Sequence, residues 1–464
     1  MRLKIIFIGL ILLIIFQIFV ISKNLETINL LEKKITKFNS QTFEDEKKIQ
    51  ILENKNKLLN ILKNYYVKHL EPYKIDINIK NNLEDIIFEK KPINLESKSI
   101  KGIRYTSTKP FMYGINKEIP GSAYIDIFNE YIFLVSASGI TSYTKKNFES
   151  DELIFKQIKN NIDDFIGEDQ FKKHRWFSIK DIKIIKNKLY ISFTDELYEN
   201  CWATSVIVSD INFENLIFKK LKYNEQCVSS ENNIDDEFNA HQSGGRIIEY
   251  DDENIILTTG DFRSRYLAQD IQSTFGKIIK INVKNLNIEV LSLGHRNPQG
   301  LYFDKKNNFI ISTEHGPQGG DEINLNDLES KKTKNYGWPI SSYGEHYGGK
   351  DYELNIKKYL KYPLLKSHVE NNFIEPIKYF VPSIGISEIS KFENTDIYLL
   401  SSLNDRSIYT FKILNNKDIN NFNRLQFGER IRDFVIINDE ILFFLEETAS
   451  IIVVKIDDVI NKHD

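Results

Sequence analysis

The stretch "GHRNPQGLYFDKKNNFIISTEHGPQGGDEINL", residues 294–325, decides how the whole chain is read. Its middle is a two-stranded hairpin, "LYFD" and "FIIST" joined by the polar turn "KKNN", with the aromatic and β-branched residues that suit a pleated surface. Both ends carry more chemistry than a hairpin needs. Arg296 and Asn297 precede the first strand; His315, Gly316, Pro317, Asp321 and Glu322 follow the second. A hairpin returns its second end to its first, so these groups share one edge of a sheet.

The same pattern, a strand, a polar turn and a more apolar strand, recurs along the chain. It is found at 122–138, 178–196, 245–261, 300–316, 386–404 and 431–447, with further strand-like segments such as "GKIIKINV" and "RSIYTFKIL" between. Recurrence at this scale fits four-stranded blades of a β-propeller; a β-sandwich would need far fewer residues. The expected fold is therefore all-β, a six-bladed propeller of four-stranded antiparallel blades over 91–464. In that fold the hairpin ends converge on one face around the central channel. They carry His241 with Gly244, Gly245 and Arg246; Asp261; Arg296 and Asn297; His315, Gly316 and Pro317; Asn404 to Arg406; and Arg430 with Arg432. Arginines contributed by separate blades read as a pocket for an anionic ligand, because guanidinium forks match carboxylates.

The formal net charge of −3 over 464 residues gives no electrostatic argument for nucleic acid as a partner. The start of the chain, "MRLKIIFIGLILLIIFQIFVISKN", places two basic residues before an apolar run and lacks a small-residue cleavage site. It reads as an uncleaved membrane anchor, residues 1–22 with the apolar run over 5–22, and a signal sequence is the competitor. The basic flank then puts the bulk of the chain outside the cytoplasm, in a periplasmic or extracytoplasmic position. Residues 23–90 read as a helical stalk or linker, with Ile28, Leu31, Ile35 and Phe38 at helical spacing. The two cysteines, Cys201 and Cys227, are expected to pair in an oxidising compartment, with two buried thiols as the alternative.

Several motifs resemble the soluble quinoprotein glucose/sorbosone dehydrogenases, the aldose sugar dehydrogenases. They are "HQSGGRI" at 241–247, "TTGD" at 258–261, "GKIIKIN" at 276–282, "LGHRNPQGL" at 293–301, "STEHGPQGGDEIN" at 312–324, "NYGWP" at 335–339 and "ERIRD" at 429–433. The resemblance implies a six-bladed propeller that oxidises the C1 hydroxyl of an aldose to a lactone, using pyrroloquinoline quinone (PQQ) and calcium. It makes His241 the general base and Asp261 a substrate-pocket residue. Arg296 and Asn297 would hold the reactive edge of the quinone. The main-chain oxygens of Gly316 and Pro317 would bind calcium, and Arg430 with Arg432 would clamp the cofactor carboxylates. A respiratory electron acceptor is the implied partner beside the sugar.

Where the family usually carries a lysine, "SSLNDRS" at 401–407 has Asn404, with Arg406 two residues on. That departure keeps a second class of function open, a non-catalytic propeller binding a protein or carbohydrate; a calcium-dependent lactonase-type hydrolase is a third. Asp321 and Glu322 read equally as a second calcium site or a self-bonded acidic loop. Trp338 reads as packing, and His295 and His346 as surface residues.

Overall fold

In a computed structural model of the chain, the described residues are 55, 57 and 80–460, apart from 94, 96–99, 110–121, 167–169, 171–177, 331 and 416–417. Each of the six repeated stretches forms an antiparallel hairpin. Its first strand is innermost: Ala123–Phe128, Ile179–Ile185, Gly244–Glu249, Pro298–Asp304, Ile386–Lys391 and Ile431–Ile437. These strands pack side by side in that order, and the last returns to the first, closing a ring. Outward of each lie further antiparallel strands, so the architecture is all-β and of propeller type.

A hydrogen bond spans every joint of the ring. Carboxylates make three of them: Asp126 accepts from Ile184 N (2.6 Å), Asp181 from Ile247 N (2.7 Å) and Asp433 from Ile125 N (2.9 Å). Hydroxyls make the others, Thr258 donating to Pro298 O, Thr313 to Ser387 O and Ser387 to Ile431 O. Five innermost strands carry a register shift near their start. Such a bulge bends the strand and re-aims a side chain. Apolar side chains fill the gaps between blades, as where Phe309, Ile311 and Ile323 meet Ile389, Tyr398 and Leu400.

The first and last blades are not separate. Ile431–Ile437, Glu440–Leu445 and Ser450–Lys455 are completed by Gly102–Ser107, with Arg104 opposite Ile452. Ile86–Lys91 then bridges Gly102–Ser107 to Glu152–Gln157 of the first blade, giving one nine-stranded sheet. The expectation of discrete blades behind a transmembrane helix and helical stalk is corrected accordingly. Among the described residues no helix is long and apolar enough to cross a membrane. The membrane-anchored, extracytoplasmic placement drawn from residues 5–22 therefore finds no support among the described residues. The segment 1–22 and most of 23–90 lie outside the described residues. Where the expected stalk is described, "IIFEKK" forms a strand, its β-branched and aromatic residues facing the core as Ile86 and Phe88 do.

Two excursions leave the blades. In the second blade, Val228–Ser229 folds back on Cys201–Asp210, and Cys201 and Cys227 form a disulfide across a Cα separation of 5.3 Å. In the fourth blade the third strand, Asp321–Asp327, is followed by a long loop before the fourth, Lys378–Phe380. That loop pairs Lys334–Asn335 with the third blade and carries Trp338 and the helix Ile356–Lys361.

Candidate functional site

The site is assembled where the innermost strands begin. The turn containing His241 and Gln242 is pinned locally: His241 N and Gln242 N donate to Asn239 (2.8 and 3.0 Å), and Phe262 N donates to Gln242 O (2.9 Å). That bond lays the turn against Asp261, which ends the next strand. Asp261 N in turn donates to Arg296 O (3.0 Å), and Gly244 N donates to Asn297 Oδ1 (3.1 Å). Gly260 has to be glycine, since a Cβ there would lie 2.0 Å from Gln242 O. The turn that carries His241 is thus tied by hydrogen bonds to Asp261, Arg296 and Asn297, which come from successive blades.

Asp261 is fully buried. Its carboxylate accepts from Trp338 Nε1 (2.7 Å) and from Arg263 N (2.9 Å). Burial raises its pKa, and Arg296 opposes that rise. With its amide oriented to suit its neighbours, Gln242 donates to Asp261 Oδ1 (3.0 Å) and accepts from Arg296 Nη2 (2.9 Å) and Arg263 Nε (3.1 Å). Arg296 also lies over the Trp338 ring at 5.4 Å. Its Nη1 donates to the carbonyls of His315 (2.8 Å) and Gly316 (2.5 Å), and its own N–H donates to Glu314 (3.0 Å). The two ends of the hairpin at 294–325 are therefore joined by a guanidinium.

His315 is half-buried, and its Nε2–H donates to Ile386 O (2.5 Å). Burial pushes its pKa down, Asp321 opposes that, and Arg296 and Arg432 add to the fall. Arg430 Nε and Arg432 Nε both donate to the buried carboxylate of Glu446 (2.7 Å each), which also accepts from Ser122 (3.1 Å). The structure brings Arg430 and Arg432, the two arginines expected to clamp an anion, together, and Glu446 already neutralises half of their charge. Arg406 is linked to this group through Glu447, which also accepts from Arg430 N (3.2 Å), while Asn404 stands apart. Arg406 pairs with Glu447 and is half exposed, while Asn404 is exposed and donates to Ser383 O.

Arg246, expected at the converging ends, points into the channel instead, where it meets Asp181 (2.7 Å), Asp433 (2.9 Å) and Glu388. A cavity of about 330 Å3 opens beside it toward the end where the inner hairpins turn. These carboxylates also hold the ring joints, so the cavity belongs to the scaffold. Asp321 is likewise a loop-holding group, accepting from Gly316 N, Gly385 N and Ile386 N. Among the described residues no set of three or more histidine, cysteine or acidic side chains is arranged to hold a metal ion.

Three sequence readings change. Trp338 belongs to the site through Asp261. His295 and His346 are buried, His295 bonded to Ser292 (2.8 Å) and His346 to Tyr362 O (2.8 Å), with burial pushing His346 down to about 4. Gln242, Arg263 and Glu446 carry the site's polar network and were not singled out. Gln242 sits beside the histidine within the quoted motif, and Arg263 is two residues past Asp261, the only signals available.

Comparison with known proteins bears on this geometry. Residues 185–454 match the sequence profile of the family described as Glucose / Sorbosone dehydrogenase. The chain is similar to aldose sugar dehydrogenase YliI of Escherichia coli (strain K12), 28% identical over 228 residues, 45% of this chain and 57% of that one. It is also similar to quinoprotein glucose dehydrogenase B of Acinetobacter calcoaceticus, 31% identical over 139 residues, 23% of this chain and 28% of that one. The matched region thus spans little more than half the length of these curated relatives, or less. Among solved structures, the soluble aldose sugar dehydrogenase of Escherichia coli in its apo-form aligns with a TM-score of 0.56 at 17% identity, over 72% of this chain and 95% of that one. The PQQ-bound aldose sugar dehydrogenase of Streptomyces coelicolor aligns with a TM-score of 0.52 at 15% identity, over 80% and 98%. At such identities the structural likeness speaks to the fold.

Proposed function

Because the chain belongs to the glucose/sorbosone dehydrogenase family, we propose that it is a PQQ-dependent dehydrogenase that oxidises the C1 hydroxyl of an aldose or related sugar to a lactone. The observation that carries this reading is the single hydrogen-bonded group joining His241's turn, Asp261, Arg296 and Asn297 at one face of the ring.

The cation set suits a planar acceptor bearing carboxylates. Arg430, Arg432 and Glu446 together retain one positive charge, and His315 feels the charge of both Arg296 and Arg432. Arg296 and Asn297 would hold the acceptor's reactive edge, and Arg430 with Arg432 its carboxylates. Asn404 and Arg406, if they contribute, do so from the rim. When bound, PQQ supplies the two-electron acceptor for the hydride leaving C1. The protein's share is positional and acid–base. His241 takes the hydroxyl proton, the task a histidine performs most easily near neutral pH. Asp261, fully buried and held by Trp338 and Gln242, would serve the substrate pocket by fixing its neighbours Arg263 and Arg296. Turnover then needs an external electron acceptor.

Calcium suits the site less well. The Gly316 carbonyl, one of its two expected ligands with Pro317, already accepts from Arg296. A cation there would have to displace a cation, so no step is routed through the metal.

The test is calorimetric titration of PQQ into the protein, with and without a calcium chelator, followed by an aldose screen with an artificial acceptor. PQQ binding that survives chelation and is lost in Arg296→Ala is expected. His241→Asn should keep PQQ and lose turnover by roughly a hundredfold or more. Absence of PQQ binding would sink the reading. It would favour instead a non-catalytic propeller, to which the ion pairing of Arg430 and Arg432 with Glu446 already lends some support.

A further inference from the structure

Next to Asp261 the backbone does something costly. Phe262 and Arg263 both take left-handed conformations, φ 49° and 69°, which strain the backbone of a non-glycine residue. Phe262 is fully buried against Phe238 and Phe275, and that packing holds the turn. Its result is to project the Arg263 side chain over the mouth of the site, 29% exposed, at 5.9 Å from the ring of the exposed Tyr347.

Arg263 has no carboxylate of its own there. The nearest, Glu237, lies 3.8 Å away and is already held by Arg265 at 2.6 Å and by Lys358. On the inner side, Gln242 links Arg263 Nε to Arg296. Counting the groups in contact, Arg263, Arg265, Arg296 and Lys358 face Glu237, Asp261 and Glu314, four cations against three carboxylates. Adding Asp235 with its partner Lys361 leaves the excess unchanged at one. Like charges this close repel, and no hydrogen bond to a neutral sugar hydroxyl would offset that. A bound anion would, and a guanidinium fork is shaped for carboxylate or phosphate.

We infer that Arg263 sets substrate choice: the sugar this site is built for carries an acidic group, a carboxylate or a phosphate, which Arg263 grips while the carbon to be oxidised lies beside His241. The inference rests on the dehydrogenase reading and adds the chemical class of its substrate. Trp338, packed on Arg296, and Tyr347, packed on Arg263, would flank the ring, as aromatic faces suit the apolar side of a sugar.

The experiment compares PQQ-loaded protein on a neutral aldose, the corresponding uronic acid and the corresponding 6-phosphate. An acidic sugar is expected to be preferred roughly tenfold or more in kcat/KM, chiefly through KM, as a charge-assisted contact implies. Its KM should rise with ionic strength while that of the neutral aldose holds. Arg263→Gln should collapse the acidic-to-neutral ratio toward one, and Arg263→Lys should retain part of it. The two acidic arms tell carboxylate from phosphate. Equal use of neutral and acidic sugars, or a ratio unmoved in Arg263→Gln with PQQ affinity reduced instead, overturns the inference. Calorimetry of the acidic sugars with the same protein separates the two levels of the reading. Arg263-dependent binding without turnover of any sugar would sink the dehydrogenase and leave the anion site standing.

Discussion

Trp338 shows how much one indole can decide. Its N–H reaches the fully buried Asp261 and its face supports Arg296, so it fixes an acid and a cation at once. Trp338→Phe keeps most of the packing and removes one donor from a buried carboxylate. A loss of about 1–3 kcal/mol in unfolding free energy, read by urea denaturation, is expected together with reduced turnover. Glu237 offers a second residue-level check. Burial alone would raise its pKa, but Arg265 and Lys358 bring it down from 4.5 to about 2. A carboxylate lowered by folding contributes stability that is full above its unfolded pKa and is lost as pH falls through its folded one. The gap in unfolding temperature between wild type and Glu237→Gln should therefore be full at neutral pH and close between about pH 4.5 and about 2. A gap that persists to the acid end would show that the carboxylate acts by shape and not by charge.

At the level of elements, much was legible before any coordinates. The six hairpins declare themselves because each innermost strand is partly polar and its partner almost wholly apolar, as "AYIDIF" against "YIFLVS" shows, and a polar turn separates the two. His241, Asp261, Arg296 and Asn297 were legible because their positions at hairpin ends force them together. What the sequence could not disclose is which cation already has a partner. Glu446 follows a strand like any exposed acid, yet it is buried between two arginines. Arg246 sits in the same motif as His241, yet a bulge in its strand turns it into the channel. Such pairings depend on contacts between blades far apart in the chain, and periodicity carries no record of them. The disulfide is an element-level feature too, tying Cys201 at the start of one strand to the segment that folds back on it across a sequence separation of 26. Replacing both cysteines with alanine should lower the unfolding free energy by about 3 kcal/mol, visible as a lower denaturant midpoint.

For the whole molecule, the ring is fastened by the nine-stranded sheet. Removing residues 80–107 would strip Gly102–Ser107 from Ser450–Lys455 and Ile86–Lys91 from Glu152–Gln157, exposing two strand edges at once. Open edges recruit other chains, so the truncated protein is expected in the insoluble fraction, or as large assemblies in size-exclusion chromatography. A monodisperse monomer would mean the remaining strands close the ring alone. The same fastening sets a clock. Arg104 and Ile452 face each other in register, so a strand that leaves the ribosome early must wait for one that leaves near the end. At cellular synthesis rates that delay is on the order of tens of seconds. Throughout it the emerging chain offers a half-built, sticky sheet that a chaperone can hold, and the circle is finished only once translation is nearly over.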